Sequence, residues 1–416
     1  MSIAGLHPTG PDEGTMELWP EGERAGELGV VRTCRVERGG PGARIPAVSL
    51  WFSLPDLGAA PSPEPDEPFL VAALVQAMAE GRDLVLHGTA SAELLGNLLE
   101  FRDAWHRWAP RRYARIAIDA DVVSARGVSR ERGAGVVTGF SGGVDSFFTL
   151  WAHASGLAGH RARRITHAAF VHGFDIPLSD GAAFEAVRRR SAPVLAELGV
   201  ELVPMRTNLR AALPYHWEMT YGAAVAACLQ QLRPVCGEGL IASSRSYDAS
   251  TLLMGSNMVT DALLSSASFS VREDGAGHVR SEKIAALAQW PASLAALRVC
   301  WQGAERDRNC GRCEKCIRTA VGFLAAGLPV PACFDRVPTV AEIARLRLSA
   351  PQQLDEWRYL LAAAERTGVA APEIAAARRM VGRSERTVAL RRAAASVARA
   401  TVPRPMRRLL RRWVAR

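Results

Sequence analysis

One short loop has the composition of an anion-binding site. Two adjacent glycines, Gly142 and Gly143, let the backbone turn tightly and bring its N–H groups close to an anion. The apolar run 135–138 before the loop predicts a strand, and the stretch 147–153 after it predicts a helix whose positive N-terminal end faces the same place. Hydroxyl groups on both sides of the glycines can add donors. The loop reads Phe140-Ser141-Gly142-Gly143-Val144-Asp145-Ser146.

A carboxylate within this loop limits the kinds of ligand that the loop can bind. Asp145 would repel a phosphate directly, so its presence makes sense if a Mg²⁺ ion lies between the two. The spacing and the lysine of the common P-loop, G-x-x-x-x-G-K-[ST], are both missing. The alternative to a phosphate loop is a structural Gly-Ser turn between a strand and a helix.

The segment Ser-Gly-Gly-Val-Asp-Ser at 141–146 resembles the pyrophosphate loop of the N-type ATP pyrophosphatases, the superfamily of GMP synthetase, NAD synthetase and asparagine synthetase. The resemblance implies cleavage of ATP between its α and β phosphates and adenylation of a substrate oxygen. It further implies that the loop holds the leaving pyrophosphate and that backbone groups at Val171 and His172 read the adenine. The implied catalytic groups are Ser141, Asp145 and Ser146.

Four cysteines form a second constellation near the end of the chain. They are separated by nine, two and two residues, at Cys300, Cys310, Cys313 and Cys316. Four thiolates suit a tetrahedral Zn²⁺ site, which would be structural because no ligand position stays open. An iron–sulfur cluster is the alternative. The glycine in Cys-Gly-x-Cys is typical of zinc knuckles and favours zinc.

The two constellations together resemble the 7-cyano-7-deazaguanine synthase family, in which a pyrophosphate loop is followed by Glu282-Lys283-Ile284 and the cysteine motif. The resemblance covers about residues 133–326. It implies a carboxylate that is adenylated, converted with ammonia to an amide and dehydrated to a nitrile, with Lys283 in the catalytic centre. The family's substrate-handling segment differs at 242–251 and 255–261. We therefore expect the same activation chemistry on a different acid or amide.

Candidate substrate residues follow from their positions along the chain. Three polar residues come directly after the fourth strand of the predicted sheet, and further candidates lie between that strand and the cysteines. Each taken alone is also typical of a surface or capping group. As a cluster they would balance the charge of a carboxylate and its adenylate. They are Ser243, Ser244, Arg245, Asp261 and Arg280.

The elements that must position these residues alternate between strand and helix from residue 133 onward. This pattern predicts an α/β fold with a parallel sheet covered on both faces. The superfamily resemblance implies the adenine nucleotide alpha-hydrolase-like (HUP) form of that fold. Ligands in such sheets bind at the carboxyl ends of the strands. The loops at 141, 172–175 and 206–210 should therefore share one edge.

We divide the chain into three predicted domains. Residues 1–132 form an N-terminal α/β domain of unknown role, 133–335 the pyrophosphatase-like domain with its zinc knuckle, and 336–416 a helical region with a basic tail. Residues 1–45 show weak periodicity, which predicts loops with one short strand near 29–36. Helices are predicted at 69–79, 92–108, 340–348 and 352–367, with a capping box formed by Thr339 and Glu342.

The positive charge of the chain is concentrated at its end. The formal net charge is +9, but residues 378–416 carry thirteen arginines against the single acid Glu385, which is +12 and leaves −3 for the rest. We expect this tail to contact an acidic partner or an anionic membrane surface. RNA is a weaker expectation, and a solvated tail with no partner is the alternative.

Composition and segment lengths predict a cytoplasmic protein. No signal-like start and no apolar run of the roughly 20 residues needed to span a bilayer is present. The predicted cofactors are ATP, Mg²⁺ and Zn²⁺, and the predicted nitrogen donor is free ammonia or a small amine. Thiolation of tRNA is the competing function, but its spare thiols, Cys228 and Cys236, have the setting of buried cysteines. A non-catalytic nucleotide- and zinc-binding scaffold is the third.

Overall fold

The computed structural model describes residues 14–40, 45–59, 64–125, 133–249, 253–348 and 351–401, with residues 351 and 391–401 as backbone only. It divides into two compact units, Met1–Asn309 and Cys310–Arg416. The predicted boundary near Arg132 and the arginines Arg404–Arg416 of the tail lie outside the described residues. The predicted domain limits stay predictions.

Ten strands of the first unit form one sheet. They are β1 (Thr15–Ala25), β2 (Val30–Arg38), β3 (Ile45–Leu54), β4 (Asp83–Ser91), β5 (Ile118–Ser124), β6 (Gly135–Phe140), β7 (Ile165–His172), β8 (Glu201–Thr207), β9 (Cys236–Ala242) and β10 (Ser270–Asp274). Their order across the sheet is β10-β9-β6-β7-β8-β3-β2-β1-β4-β5.

The sheet is mostly parallel, as predicted, with an antiparallel section in its middle. Strands β10, β9, β6, β7 and β8 are parallel to one another, and so are β1, β4 and β5. The pairs β1–β2, β2–β3 and β3–β8 are antiparallel. The short β3–β8 pair, Phe52 with Thr207 and Ser53 with Arg206, makes the sheet continuous from the N-terminal strands to the phosphate-loop strands.

Eight helices of the first unit connect and cover these strands. They are α1 (Glu67–Glu80), α2 (Ala92–Trp108), α3 (Val144–Ala154), α4 (Gly181–Ala196), α5 (Leu209–Ala212), α6 (Trp217–Gln230), α7 (Arg280–Leu287) and α8 (Pro291–Ala296). The crossover from β8 to β9 runs opposite to those from β6 to β7 and β7 to β8. Right-handed crossovers therefore put α6 on the other face of the sheet from α3 and α4.

The hydrophobic core of this unit lies between the sheet and α1, α2 and α6. Helix α1 is apolar almost all round because it packs on both the sheet and α6, and residues 67–78 are all buried. Helix α2 has an amphipathic pattern and buries only Leu94, Leu98, Phe101 and Trp105. The predicted helix at 92–108 is confirmed with the same ends, and Ser91 caps it.

The second unit is helical. It contains α9 (Glu314–Ala325), α10 (Val340–Arg345), α11 (Pro351–Thr367) and α12 (Pro372–Thr401). Their apolar faces meet in one cluster around fully buried Trp357, whose Nε1 donates to Glu314 Oε1 at 2.9 Å. The predicted capping box of Thr339 and Glu342 is confirmed at the start of α10. No helix in the described part of the chain has the length and apolar character needed to cross a membrane.

Candidate functional site

The predicted phosphate loop, residues 140–146, lies where the order of the parallel strands reverses. The chain leaves β6 for β7 on one side, whereas β9 pairs with β6 on its other side. The carboxyl ends of β6 and β9 are followed by Ser141 and Ser243, respectively. Such a reversal opens a crevice at the carboxyl edge of a parallel sheet, where ligands bind. The parallel pairing of β6 with β7 and β9 places the predicted loops at 141 and 172–175 at this edge, together with Ser243.

Two hydroxyl groups fix the conformation of the loop from within. Ser141 Oγ accepts from the Gly143 N–H at 3.3 Å, and Ser146 Oγ donates to the Gly143 carbonyl at 3.1 Å. Gly142 has φ of 75°, a value that disfavours any residue with a side chain. Helix α3 begins directly after Gly143 and has no side-chain cap. The loop therefore presents the backbone of a helix N-terminus, which attracts anions.

Three predicted residues from two helices, Asp145 of α3 and Arg280 and Lys283 of α7, meet beside this loop. Asp145 Oδ2 accepts from Arg280 Nη1 at 2.7 Å, and its Oδ1 lies 3.3 Å from Lys283 Nζ. Lys283 Nζ also donates to the Ser243 carbonyl at 2.5 Å, which links α7 to the end of β9. Asp145 and Lys283 were predicted as catalytic residues and Arg280 as a substrate residue, and the structure brings the three into direct contact.

The charge of this cluster favours an anion. The carboxylate of Asp145 contacts two cations, and the more distant Glu273, whose pKa is raised by burial, also acts on Lys283. The Lys283 side chain is 2% exposed and that of Arg280 is 12% exposed. Desolvated cations attract a phosphate or carboxylate more strongly than solvated ones do. Both oxygens of Asp145 contact cations in this structure. The magnesium role of Asp145 stays a prediction, and no step below uses it.

The three predicted substrate residues after β9 make different contacts. Ser243 is buried, and its Oγ lies 2.6 Å from Glu273 Oε1. Burial raises the pKa of Glu273, which the sequence did not single out. Ser244 is exposed and lies 3.5 Å from the hydroxyl of Tyr221. The guanidinium of Arg245 donates to the Ala249 carbonyl at 2.8 Å, so it organises its own loop.

Asp261 lies in the interior and is fully buried. Its Oδ2 pairs with Ser256 Oγ at 2.6 Å, and its Oδ1 accepts from the Asn257 N–H at 3.0 Å. Burial raises the pKa of Asp261 to about 8, so the group is mostly protonated at pH 7. The structure does not bring this predicted substrate residue to the Asp145 cluster.

The predicted adenine-binding segment carries a stacked histidine. His172 Nε2 is 2.8 Å from the Pro177 carbonyl, and its ring stacks on Phe184 with centroids 4.5 Å apart. Burial lowers the pKa of His172, which makes it neutral at pH 7. The side chains of Phe140 and Val144 are buried and that of Val171 is half-buried, so the predicted ligand contacts at these positions fall to their backbones.

The four predicted metal ligands come together. The Sγ atoms of Cys300, Cys310, Cys313 and Cys316 all lie within 4.8 Å of one another. Cys310 and Cys316 Sγ are 3.8 Å apart, and a tetrahedron with Zn–S bonds of about 2.3 Å has S···S edges of about 3.8 Å. The donor set therefore fits a metal such as zinc.

Backbone donors surround these sulfur atoms. Cys310 Sγ accepts from the Cys313 N–H at 3.3 Å, and Cys313 Sγ accepts from the Cys316 N–H at 3.4 Å as the N-cap of α9. Gly311, at φ of 65°, makes the turn between Cys310 and Cys313. Such N–H groups stabilise thiolate charge, so the sequence around the cysteines is built for the charged ligand form.

Comparison finds no matching protein-family model, no matching curated protein and no matching solved structure. The function proposed for this chain therefore depends on the geometry of its site and on the motifs in its sequence.

Sequence reasoning missed a buried arginine on the phosphate loop. Arg298 is 2% exposed, its backbone N–H donates to the Gly142 carbonyl at 2.7 Å, and its Nη1 donates to the Ser141 carbonyl at 3.2 Å. The signal for it was weak, a single arginine within the apolar stretch Ala295-Ala296-Leu297-Arg298-Val299. Only the fold shows that this stretch returns to the loop.

Proposed function

We propose that this chain is an ATP-dependent enzyme that cleaves ATP between its α and β phosphates and adenylates a carboxylate or amide oxygen of a small molecule, for amide or nitrile formation. The observation that carries the proposal is the contact of Asp145 with Arg280 and Lys283 beside a glycine loop at the reversal point of the sheet. The resemblance of 141–146 to a pyrophosphate loop supplies the reaction type.

In this proposal the loop and its cations stabilise the leaving group. The substrate oxygen attacks the α-phosphorus, the bond from that phosphorus to the α–β bridging oxygen breaks, and pyrophosphate departs with the electron pair. Backbone N–H groups at the start of α3 hold the pyrophosphate, and Arg280 and Lys283 offset its charge. Positioning and charge neutralisation supply most of the catalysis.

The second half-reaction depends on the substrate. With an acyl adenylate, the nitrogen of ammonia or a small amine attacks the carbonyl carbon, loses a proton and displaces AMP. With an adenylated amide, loss of AMP and a proton gives the nitrile. The cysteine cluster is structural in this proposal, since all four positions of a tetrahedral ion are taken by sulfur.

The competing thiolation function lacks a suitable cysteine among the spare thiols the sequence singled out. Cys228 and Cys236 are 1% and 0% exposed. Burial raises the pKa of both thiols, that of Cys236 to about 12, so neither forms the thiolate that sulfur transfer needs. We therefore keep C–N bond formation as the proposed chemistry.

The nucleotide product of Mg-ATP turnover tests the proposal. The full-length protein is incubated with Mg-ATP and a small-molecule extract, and the products are separated by ion-exchange chromatography. The proposal predicts AMP and pyrophosphate in equal amounts. ADP and phosphate would contradict it, and ATP binding with no cleavage in any extract would favour the scaffold function.

Gly156 offers a matched control for a substitution at Gly142 in the loop. Gly142 and Gly156 both have positive φ, 75° and 83°, and an added Cβ would meet no atom closer than 3.7 Å at either. Gly142→Ala and Gly156→Ala therefore impose similar backbone strain of about 1 kcal/mol. Only the first lies in the proposed site. We expect Gly142→Ala to reduce AMP formation at least tenfold, whereas Gly156→Ala should keep it.

A further inference from the structure

Arg298 is joined to the phosphate loop by two hydrogen bonds and to its own loop by a third. Its backbone N–H and its Nη1 donate to the carbonyls of Gly142 and Ser141, and its Nε donates to the Arg306 carbonyl at 2.6 Å. Its Nη2 is buried and has no hydrogen-bond partner in the described ranges. The guanidinium therefore contacts the loop while its Nη2 donor has no partner.

The charge of Arg298 lacks a paired carboxylate. No ion pair of this guanidinium occurs among the described side chains, and Asp175 and Cys300 act on it electrostatically without a salt bridge. Arg190 and Arg306 act on it with the same sign of charge. A buried cation without a counter-ion is costly, and a neutral side chain would make hydrogen bonds to carbonyls without that cost. The buried charge at this position therefore indicates that the loop binds an anion.

We propose that Arg298 is a fixed cation of the phosphate loop, which binds the β-phosphate end of ATP and the departing pyrophosphate through its charge. The inference rests on the proposed function and extends it to a residue outside both sequence motifs. Arg298 differs from Arg280 and Lys283 in having no carboxylate to neutralise it. Its hydrogen bonds to two loop carbonyls fix its position, and its positive charge offsets the charge that develops on the leaving oxygen.

Binding of inorganic pyrophosphate tests this assignment. Isothermal titration with the full chain compares the unaltered protein with Arg298→Met, which keeps the length and removes the charge. Arg163→Met is the matched control, since Arg163 precedes β7 at the opposite edge of the sheet and pairs with Glu238 at 3.0 Å. We expect Arg298→Met to weaken pyrophosphate binding by about tenfold to a hundredfold, as for a lost hydrogen bond to a charged group. Arg163→Met should bind as the unaltered protein does.

The AMP affinity and zinc content of Arg298→Met show whether Arg298 acts on pyrophosphate, on the cysteine cluster or on neither. Arg298→Met should bind AMP normally and keep its zinc. Loss of zinc with unchanged pyrophosphate affinity would overturn the proposal and assign Arg298 as a counter-charge for the nearby Cys300 thiolate. Unchanged affinity with unchanged zinc would also overturn it and leave the proposed function intact. Failure of the unaltered protein to bind pyrophosphate would instead contradict the proposed function itself.

Two conservative variants keep the test decisive if Arg298→Met does not fold. Arg298→Lys retains the charge, whereas Arg298→Gln retains a donor and loses the charge. The proposal predicts that Arg298→Lys binds pyrophosphate more tightly than Arg298→Gln by at least about fivefold. Equal affinities would overturn it.

Discussion

Asp145 joins the predicted loop to the buried Lys283 through an ion pair. Replacement by asparagine keeps the shape but leaves the charge of Lys283, 1% exposed, without its carboxylate. We expect Asp145→Asn to lower the free energy of unfolding by about 3 kcal/mol, since removing one partner of a buried ion pair strands the other. Urea denaturation measures this change. The double variant Asp145→Asn/Lys283→Met should recover much of the loss, and a further loss there would contradict the pairing.

Asp261 gives a pH-dependent prediction. Burial raises its pKa to about 8 in the folded protein, and an unfolded aspartate has a pKa of 3.8. Between these values the folded state binds the extra proton, so the stability contribution of this group falls as pH rises from about 4 to about 8 and is constant above. Asp261→Asn carries no such proton. We expect the unfolding temperature of the variant to rise relative to that of the unaltered protein between pH 5 and pH 8.

The control for this prediction is the same comparison at pH 5. There both side chains are largely neutral and can make the same hydrogen bonds to Ser256 and Asn257. A constant difference across the pH range would show that Asp261 is ionised in the folded state.

The sequence predicted individual site residues where a motif marked them. Ser141, Asp145 and the cysteines stand in short patterns whose spacing already implies proximity. Arg298 and Glu273 stand in no pattern and reach the site because distant segments return to the sheet edge. Asp261 was assigned to substrate from its position along the chain, and sequence position does not show that its side chain turns inward.

Helices α1 and α6 are joined through a buried ion pair between Glu67 and Arg233, which follows α6. The Arg233 Nη1 to Glu67 Oε2 distance is 2.6 Å, and the side chains are 2% and 0% exposed. Ser91, the N-cap of α2, donates to the same carboxylate at 2.6 Å. The N-terminal strands are thereby fixed to the phosphate-loop strands on one face of the sheet.

Glu67→Gln should destabilise the protein by about 3 to 5 kcal/mol, because it leaves the buried Arg233 charge without its carboxylate. The exposed pair Glu185–Arg188 on α4 is the matched control, with side chains 38% and 37% exposed. Glu185→Gln should cost only about 0.5 kcal/mol. Chemical denaturation of both variants measures the difference. Equal effects would contradict the structural role given to the buried pair.

Helix α9 begins at the cysteine cluster, so metal binding and its folding should be coupled. We expect about one zinc ion per chain by elemental analysis, and we expect Cys313→Ser to lose most of it, because Cys313 supplies a sulfur ligand as well as the N-cap of α9. The spare thiol Cys228 is the control, since Cys228→Ala should keep the zinc. A full zinc content in Cys313→Ser would contradict the four-cysteine site.

Elements were predictable where periodicity was strong. The predicted strand at 135–138 lies within β6, and the predicted helix at 147–153 lies within α3. Strand β1 was missed because Gly22, Pro20 and charged residues interrupt its alternation, and it pairs across an irregularity at Pro20 and Gly22. Strand β10 has only five residues and depends on pairing with β9.

The whole chain combines a nearly neutral body with a strongly basic end. Residues 1–377 carry a formal charge of −3, and 378–416 carry +12. We expect removal of residues 402–416 to leave AMP formation unchanged and to weaken sedimentation with anionic phospholipid vesicles, because six arginines are lost. Neutral vesicles are the control. Loss of turnover in the truncated chain would show that the tail contributes to the site.

The pairing of β3 with β8 could not be predicted from the sequence. Periodicity predicts each strand, but the choice of neighbour is set by the core that α1 and α6 share. The α/β class and the carboxyl-edge placement of the loop were predictable because both follow from the alternation of strands and helices.

Turnover in oxygen-18-labelled water tests adenylation most directly, because it does not require the acceptor to be known. The protein is incubated with Mg-ATP and the extract, and the AMP is analysed by mass spectrometry. If a substrate carboxylate or amide oxygen attacks the α-phosphorus, the AMP carries that oxygen and contains no label from the solvent. Labelled AMP would show that water attacks the phosphorus, and the proposed transfer to a substrate would be contradicted.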